Sequence, residues 1–119
     1  MQGESDSFST KVATKYETHL NNFIKDIREN FSQYAASDGI AFIDAFIANN
    51  PAYWVHYELV NAAKQAVADS STMNVVIDTI MHNLTCSQEP TDTPDLAHYD
   101  SLSQIKLGHL FAQELSNFL

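Results

Sequence analysis

Between residues 12 and 34 the apolar side chains fall at Val12, Tyr16, Leu20, Phe23, Ile27, Phe31 and Tyr34, at spacings of four, four, three, four, four and three. That period lays them along one stripe of a long amphipathic helix. Ser9 or Thr10 is placed to cap its first amides. Ser37-Asp38-Gly39 supplies the turn chemistry that ends it near Ala36. A helix of about 26 residues exceeds the usual globular length, so the stripe needs a partner: the rest of the domain, or a second copy in a homodimer.

The remaining punctuation cuts the chain into further helical pieces. Asp38 is an N-cap for a segment with Ile40, Ile43 and Ile47 on one line and Phe42 and Phe46 on another, an apolar surface broad enough for a central helix. Asn50-Pro51 caps and opens a third helix, through Tyr53, Trp54, Tyr57, Val60, Ala63 and Val67 to about Asp69. A fourth is expected over about 72–84 from Met73, Val76, Ile77, Ile80, Met81 and Leu84. Its β-branched residues permit a strand, but Val75-Val76-Ile77 breaks the alternation of a half-buried one. The last helix starts at Ser101, which with Gln104 has capping-box spacing, and carries Leu102, Ile105, Phe111, Leu115 and Phe118. With only three Gly and three Pro in 119 residues, a protein of many short strands and turns is disfavoured. The expected fold class is all-α: a compact bundle of about five helices with one long acidic loop at residues 85–100. Residues 1–8 read as a flexible leader and 9–119 as a single helical domain, a size that buries enough surface to stand without staples.

Charge is distributed unevenly. The net charge is −9, yet Glu4, Asp6, Glu17 and Asp26 balance Lys11, Lys15, Lys25 and Arg28. After Arg28 only Lys64 and Lys106 oppose the acids, so the whole excess lies there. Such a surface repels a phosphate backbone, which excludes direct nucleic-acid binding. The polar start MQGESDSFST has no signal-peptide pattern, the apolar runs are too short to span a bilayer, and the lone Cys86 forms no intrachain disulfide. Together these point to a cytoplasmic protein without membrane contact.

Motifs for chemistry are sparse. His19, His56, His82, His98 and His109 invite a metal, but no HExxH and no Cys/His pair spacing occurs; Asp78 and His82, four apart, are the best local pair. Cys86 with His98 or His109 could form a nucleophile pair. Glu89, Asp92 and Asp95 crowd that segment, however, and acids raise a thiol pKa where catalysis needs it lowered. No GxSxG, GxxxxGK[ST] or GxGxxG is present. Residues 62–82 have the outline of a helix-turn-helix, but the second helix lacks Lys and Arg and carries Asp78.

The expectation is therefore a chain that is not an enzyme and needs no cofactor. It reads as an acidic protein-binding module that inhibits a basic, nucleic-acid-handling partner. In size, charge and class, though in no motif, it is similar to phage anti-defence inhibitors and to immunity proteins of bacterial toxins. The candidate partner-binding residues are Glu58, Asp69, Asp78, Glu89, Asp92, Asp95 and Asp100, with Trp54 and Tyr57 as aromatic anchors; Asp92 and Asp95 are the first to reverse in charge. Two alternatives stand beside it: a helical oligomerisation or regulatory domain, and a small metal- or ligand-binding bundle.

Overall fold

The computed structural model describes residues 2–119. It contains four α-helices and a two-stranded parallel sheet: α1 (Thr10–Ala13), α2 (Tyr16–Asn30), β1 (Phe42–Ala45), α3 (Tyr57–Asp69), β2 (Asn74–Ile77) and α4 (Ser101–Ser116), with short 3-10 turns at Ser5–Phe8 and Ser32–Tyr34. The architecture is α/β. It corrects the expected all-α bundle of five helices.

Both corrected segments fail for one physical reason. Alternation marks a strand with one face in water, whereas a parallel strand covered on both faces reads as a continuous apolar run. Val75-Val76-Ile77 and Phe42-Ile43 belong to the second kind. Phe42 pairs with Asn74 and Ala45 with Ile77, in register along four residues. Parallel strands need a crossover between them, and α3 supplies it. Ala45 and Ile77 are buried on the sheet, packed with Val60, Ala63 and Ile47.

The long first helix is interrupted. The Thr14 hydroxyl joins its own amide on the Thr10 carbonyl, at 2.9 Å, and the Lys15 amide bonds Val12, three residues back; such hydroxyl back-bonds often bend helices. The chain restarts at Tyr16. The inward line of α1 and α2 is Ala13, Tyr16, Leu20 and Ile24, while Val12, Phe23 and Phe31 of the apolar stripe are exposed. Arg28 fastens the end of α2 to the start of both strands, donating to the Ile40 carbonyl at 3.0 Å, the Met73 carbonyl at 3.2 Å and Asn74 Oδ1 at 2.7 Å.

The stretch read as a leader carries the Ser5–Phe8 turn; Met1 lies outside the described residues. Ser7 is fully buried and its carbonyl accepts from the His56 amide. Gly3, at φ +129°, lies so close to Val60 that a Cβ would come within 2.7 Å of its Cγ1, so only glycine fits.

One buried ion pair ties the layers together. Lys64 on α3 has a fully buried side chain; its Nζ lies 3.0 Å from Asp44 Oδ2 of β1 and donates to the Ala45 carbonyl at 2.8 Å. The ammonium also sits 5.9 Å from the centre of the Tyr16 ring. Burial pushes the Lys64 pKa down and the Asp44 carboxylate opposes it.

No helix among the described residues is long and apolar enough to cross a membrane.

Candidate active site

The 85–100 segment leads into α4 and is anchored at its end. Asp100 caps α4, accepting from the Ser103 amide at 2.9 Å with one oxygen, and from the Gln88 amide and the Thr85 hydroxyl with the other. The expected cap, Ser101, instead bonds through its amide and hydroxyl to Glu89. Burial alone would push the Asp100 carboxyl up, but the Thr85, Ser103 and Gln88 hydrogen bonds outweigh it and hold it at about 2, against an ordinary value of 3.8. The folded pKa is therefore the lower one. The stability that Asp100 adds is present above the ordinary value and lost as pH falls through 3.8 towards 2. Asp100→Asn is expected to cost about 1–2 kcal/mol at neutral pH and almost nothing near pH 2; acid-induced unfolding followed by circular dichroism, variant against parent, checks it.

Next to this cap sits Tyr99, whose hydroxyl lies 2.7 Å from Thr79 Oγ1 and 3.2 Å from the Phe46 carbonyl. Burial pushes its phenol up to about 12, so it acts as a neutral strut at the end of the sheet.

Upstream of Tyr99 the chain makes a tight turn with chemical content. Asp95 Oδ1 accepts from the Ala97 amide at 2.9 Å and the His98 amide at 2.8 Å, and Asp95 Oδ2 lies 2.8 Å from His98 Nδ1. The backbone and ring hydrogen bonds from His98, joined by the Ala97 amide, hold the Asp95 carboxyl below the usual range. An ionised carboxylate only accepts, so the Nδ1 atom carries the proton and the lone pair of neutral His98 is on Nε2. Both side chains stay more than half exposed. Trp54 meets the His98 ring edge-on, with centroids 5.5 Å apart.

His98 borders a cleft of about 460 Å³ whose other walls include Glu4, Tyr99, and Gln104, Gly108 and Phe111 of α4. No Lys or Arg lines it among the described residues. His98 lines this cleft, and no serine or threonine hydroxyl bonds to its ring among the described residues. The arrangement resembles the base–orienter half of a hydrolytic triad, in which a carboxylate fixes the tautomer of an imidazole that can take a proton from an attacking oxygen.

The residues singled out for partner binding are dispersed. Asp95 and Trp54 meet at the turn, Asp100 caps α4 and Glu89 bonds the first residue of that helix. Asp92 is exposed and bonds its neighbouring Thr93 amide. Glu58 takes a hydrogen bond from Tyr57, and Asp69 one from Gln65. Asp78 caps the turn after β2 through the Ile80 and Met81 amides. Trp54 is buried and Tyr57 partly so. Cys86 has its thiol pushed up by burial and by Asp100 and Asp95, the opposite of what activates a nucleophilic thiol. Among the described residues no group of three His, Cys, Asp or Glu side chains could hold a metal ion. Sequence reasoning missed the pairing of Asp95 with His98; its signal was the Asp-x-x-His spacing in a loop, which places both side chains on one turn.

A family model described as carbohydrate esterase, sialic acid-specific acetylesterase matches residues 1–117. No curated protein and no solved structure matches the chain. The family match overturns the expectations of a non-catalytic inhibitor and of an anti-defence role, and points to an enzyme where none was expected. The chain belongs to the carbohydrate esterase family of sialic acid-specific acetylesterases.

Proposed function

We propose that this protein is an esterase that removes acetyl groups from sialic acid, with His98 as general base and Asp95 as its orienter. The observation that carries the reading is the 2.8 Å contact between Asp95 Oδ2 and Nδ1 of His98, a residue that lines a cleft; the family membership names the ester class. The attacking oxygen, from water or from a hydroxyl brought to the open side of His98, loses its proton to Nε2 as it bonds to the acetyl carbonyl carbon. The carbonyl π pair moves to oxygen, giving a tetrahedral oxyanion. When it collapses, the C–O bond to the sugar breaks, and the departing sugar oxygen takes the proton from His98. With water as attacker the products are acetic acid and the free sugar hydroxyl.

The cleft also constrains how the sugar sits. A sialic acid carries a carboxylate, and a cleft bordered by Glu4 and without Lys or Arg repels it. The acetylated hydroxyl therefore points inward to His98 and the carboxylate outward to solvent.

The test is acetate release from an O-acetylated sialic acid by the protein and by His98→Gln. The reading expects the variant to lose the activity while keeping the parent's melting curve. Equal rates for the two would remove His98 as the base.

A further inference from the structure

A base–orienter pair works only if the turn between its members is held, and this turn contains a conformation that must be held. Leu96, directly after Asp95, has φ +62°, a left-handed conformation that a branched side chain resists. Two consecutive carbonyls around it are gripped from one place. Asn50 Nδ2 donates to the Leu96 carbonyl at 2.7 Å, and Trp54 Nε1 donates to the Ala97 carbonyl at 2.7 Å. Asn50 and Trp54 close a single turn before α3, since the Trp54 amide donates to the Asn50 carbonyl at 2.8 Å. The Asn50 amide has a fixed sense as well: its Oδ1 accepts from the Ala52 amide at 3.3 Å, which leaves Nδ2 for Leu96.

We propose that Asn50 is a positioning residue for the Asp95–His98 pair, with Trp54 as its companion: together they clamp the two carbonyls that keep Leu96 left-handed and so aim the Asp95 carboxylate at His98. This rests on the esterase reading for its catalytic meaning, but the clamp itself can be read without activity. Without the Asn50 grip, Leu96 relaxes to negative φ. The Asp95 turn then opens and the His98 ring loses the acceptor that fixes its tautomer. Neither Asn50 nor Trp54 lines the cleft beside His98.

Asn50→Asp keeps the side-chain size and the acceptor for the Ala52 amide, but replaces the donor with an oxygen facing the Leu96 carbonyl. Trp54→Phe keeps the ring and removes only the indole donor. The ring nitrogens of His98 are read by ¹⁵N NMR above its titration, and kcat and KM for acetate release are measured on the same samples. For the parent the spectrum expected is that of the Nδ1-protonated ring. For Asn50→Asp it is the tautomer mixture of an unrestrained imidazole, with kcat down about 10-fold to 100-fold and KM little changed. Leu96→Gly added to Asn50→Asp should restore part of both, because glycine holds the left-handed conformation unaided. A parent-like His98 spectrum in Asn50→Asp, or in Trp54→Phe if the first variant does not fold, overturns the proposal. If the tautomer shifts as expected while His98→Gln retains activity, the clamp stands and the esterase reading falls.

Discussion

Asp95→Asn is expected to lower the turnover of acetyl-ester hydrolysis by about 10³–10⁴-fold, with KM little changed. The effect is large because the substitution does more than remove a charge. Asp95 accepts three hydrogen bonds: two from the backbone amides of Ala97 and His98, and one from His98 Nδ1. Asparagine can still accept the amides through its oxygen. Its NH₂ group then faces the imidazole as a donor, favouring the tautomer with the proton on Nε2, where the attacking oxygen needs a lone pair. The fold should hardly notice, since both side chains are largely exposed. Steady-state kinetics on the variant, with an unchanged melting curve, checks the expectation; a turnover within the parent's range would mean that Asp95 is only a turn former.

Lys64→Met is expected to cost roughly 3–5 kcal/mol of stability, because it removes the cation from a buried ion pair. The Lys64 side chain is fully buried, and it satisfies both Asp44 Oδ2 and the Ala45 carbonyl. Removing it takes the cation from the Asp44 carboxylate, which keeps the Ala45 amide at 2.8 Å, and a donor from the Ala45 carbonyl. For a domain of ordinary stability, about 5–15 kcal/mol, that is a large fraction. Asp44→Asn should cost less, since the amide still accepts a hydrogen bond from the ammonium. The double variant Asp44→Leu, Lys64→Met should recover much of the loss, as apolar replacements of buried pairs do. Urea unfolding of the three variants separates these cases. A Lys64→Met midpoint equal to the parent's would show that the pair contributes nothing.

The sequence made some elements readable and hid others for identifiable reasons. The helices that survive, α2, α3 and α4, have apolar residues at helical spacing and face one side. The two strands were hidden because both of their faces are covered. Phe42–Ala45 and Asn74–Ile77 then lack the alternation that distinguishes a strand from a short buried helix, and the pairing that defines them is made by residues about thirty positions apart. The break between α1 and α2 falls at Thr14 and Lys15, inside a stripe whose spacing runs on unbroken. The sequence shows Asp95 as one acid among several in an acidic loop, and a count of charge treats them all alike. The chemistry depends on which neighbour a carboxylate faces: Asp100 faces amides and a hydroxyl and serves as a cap, whereas Asp95 faces an imidazole. The donors that shape this turn, Asn50 and Trp54, come from a distant part of the chain, a relation that no local motif contains.

The most direct measurement is a double-mutant cycle on acetate release with Asp95→Asn, His98→Gln and the two combined. Groups that act as one unit give non-additive losses. The Asp95–His98 pair as a single oriented base predicts that the double variant falls no lower than His98→Gln alone. Losses that multiply, with the double variant well below either single one, would show two independent contributions and contradict it.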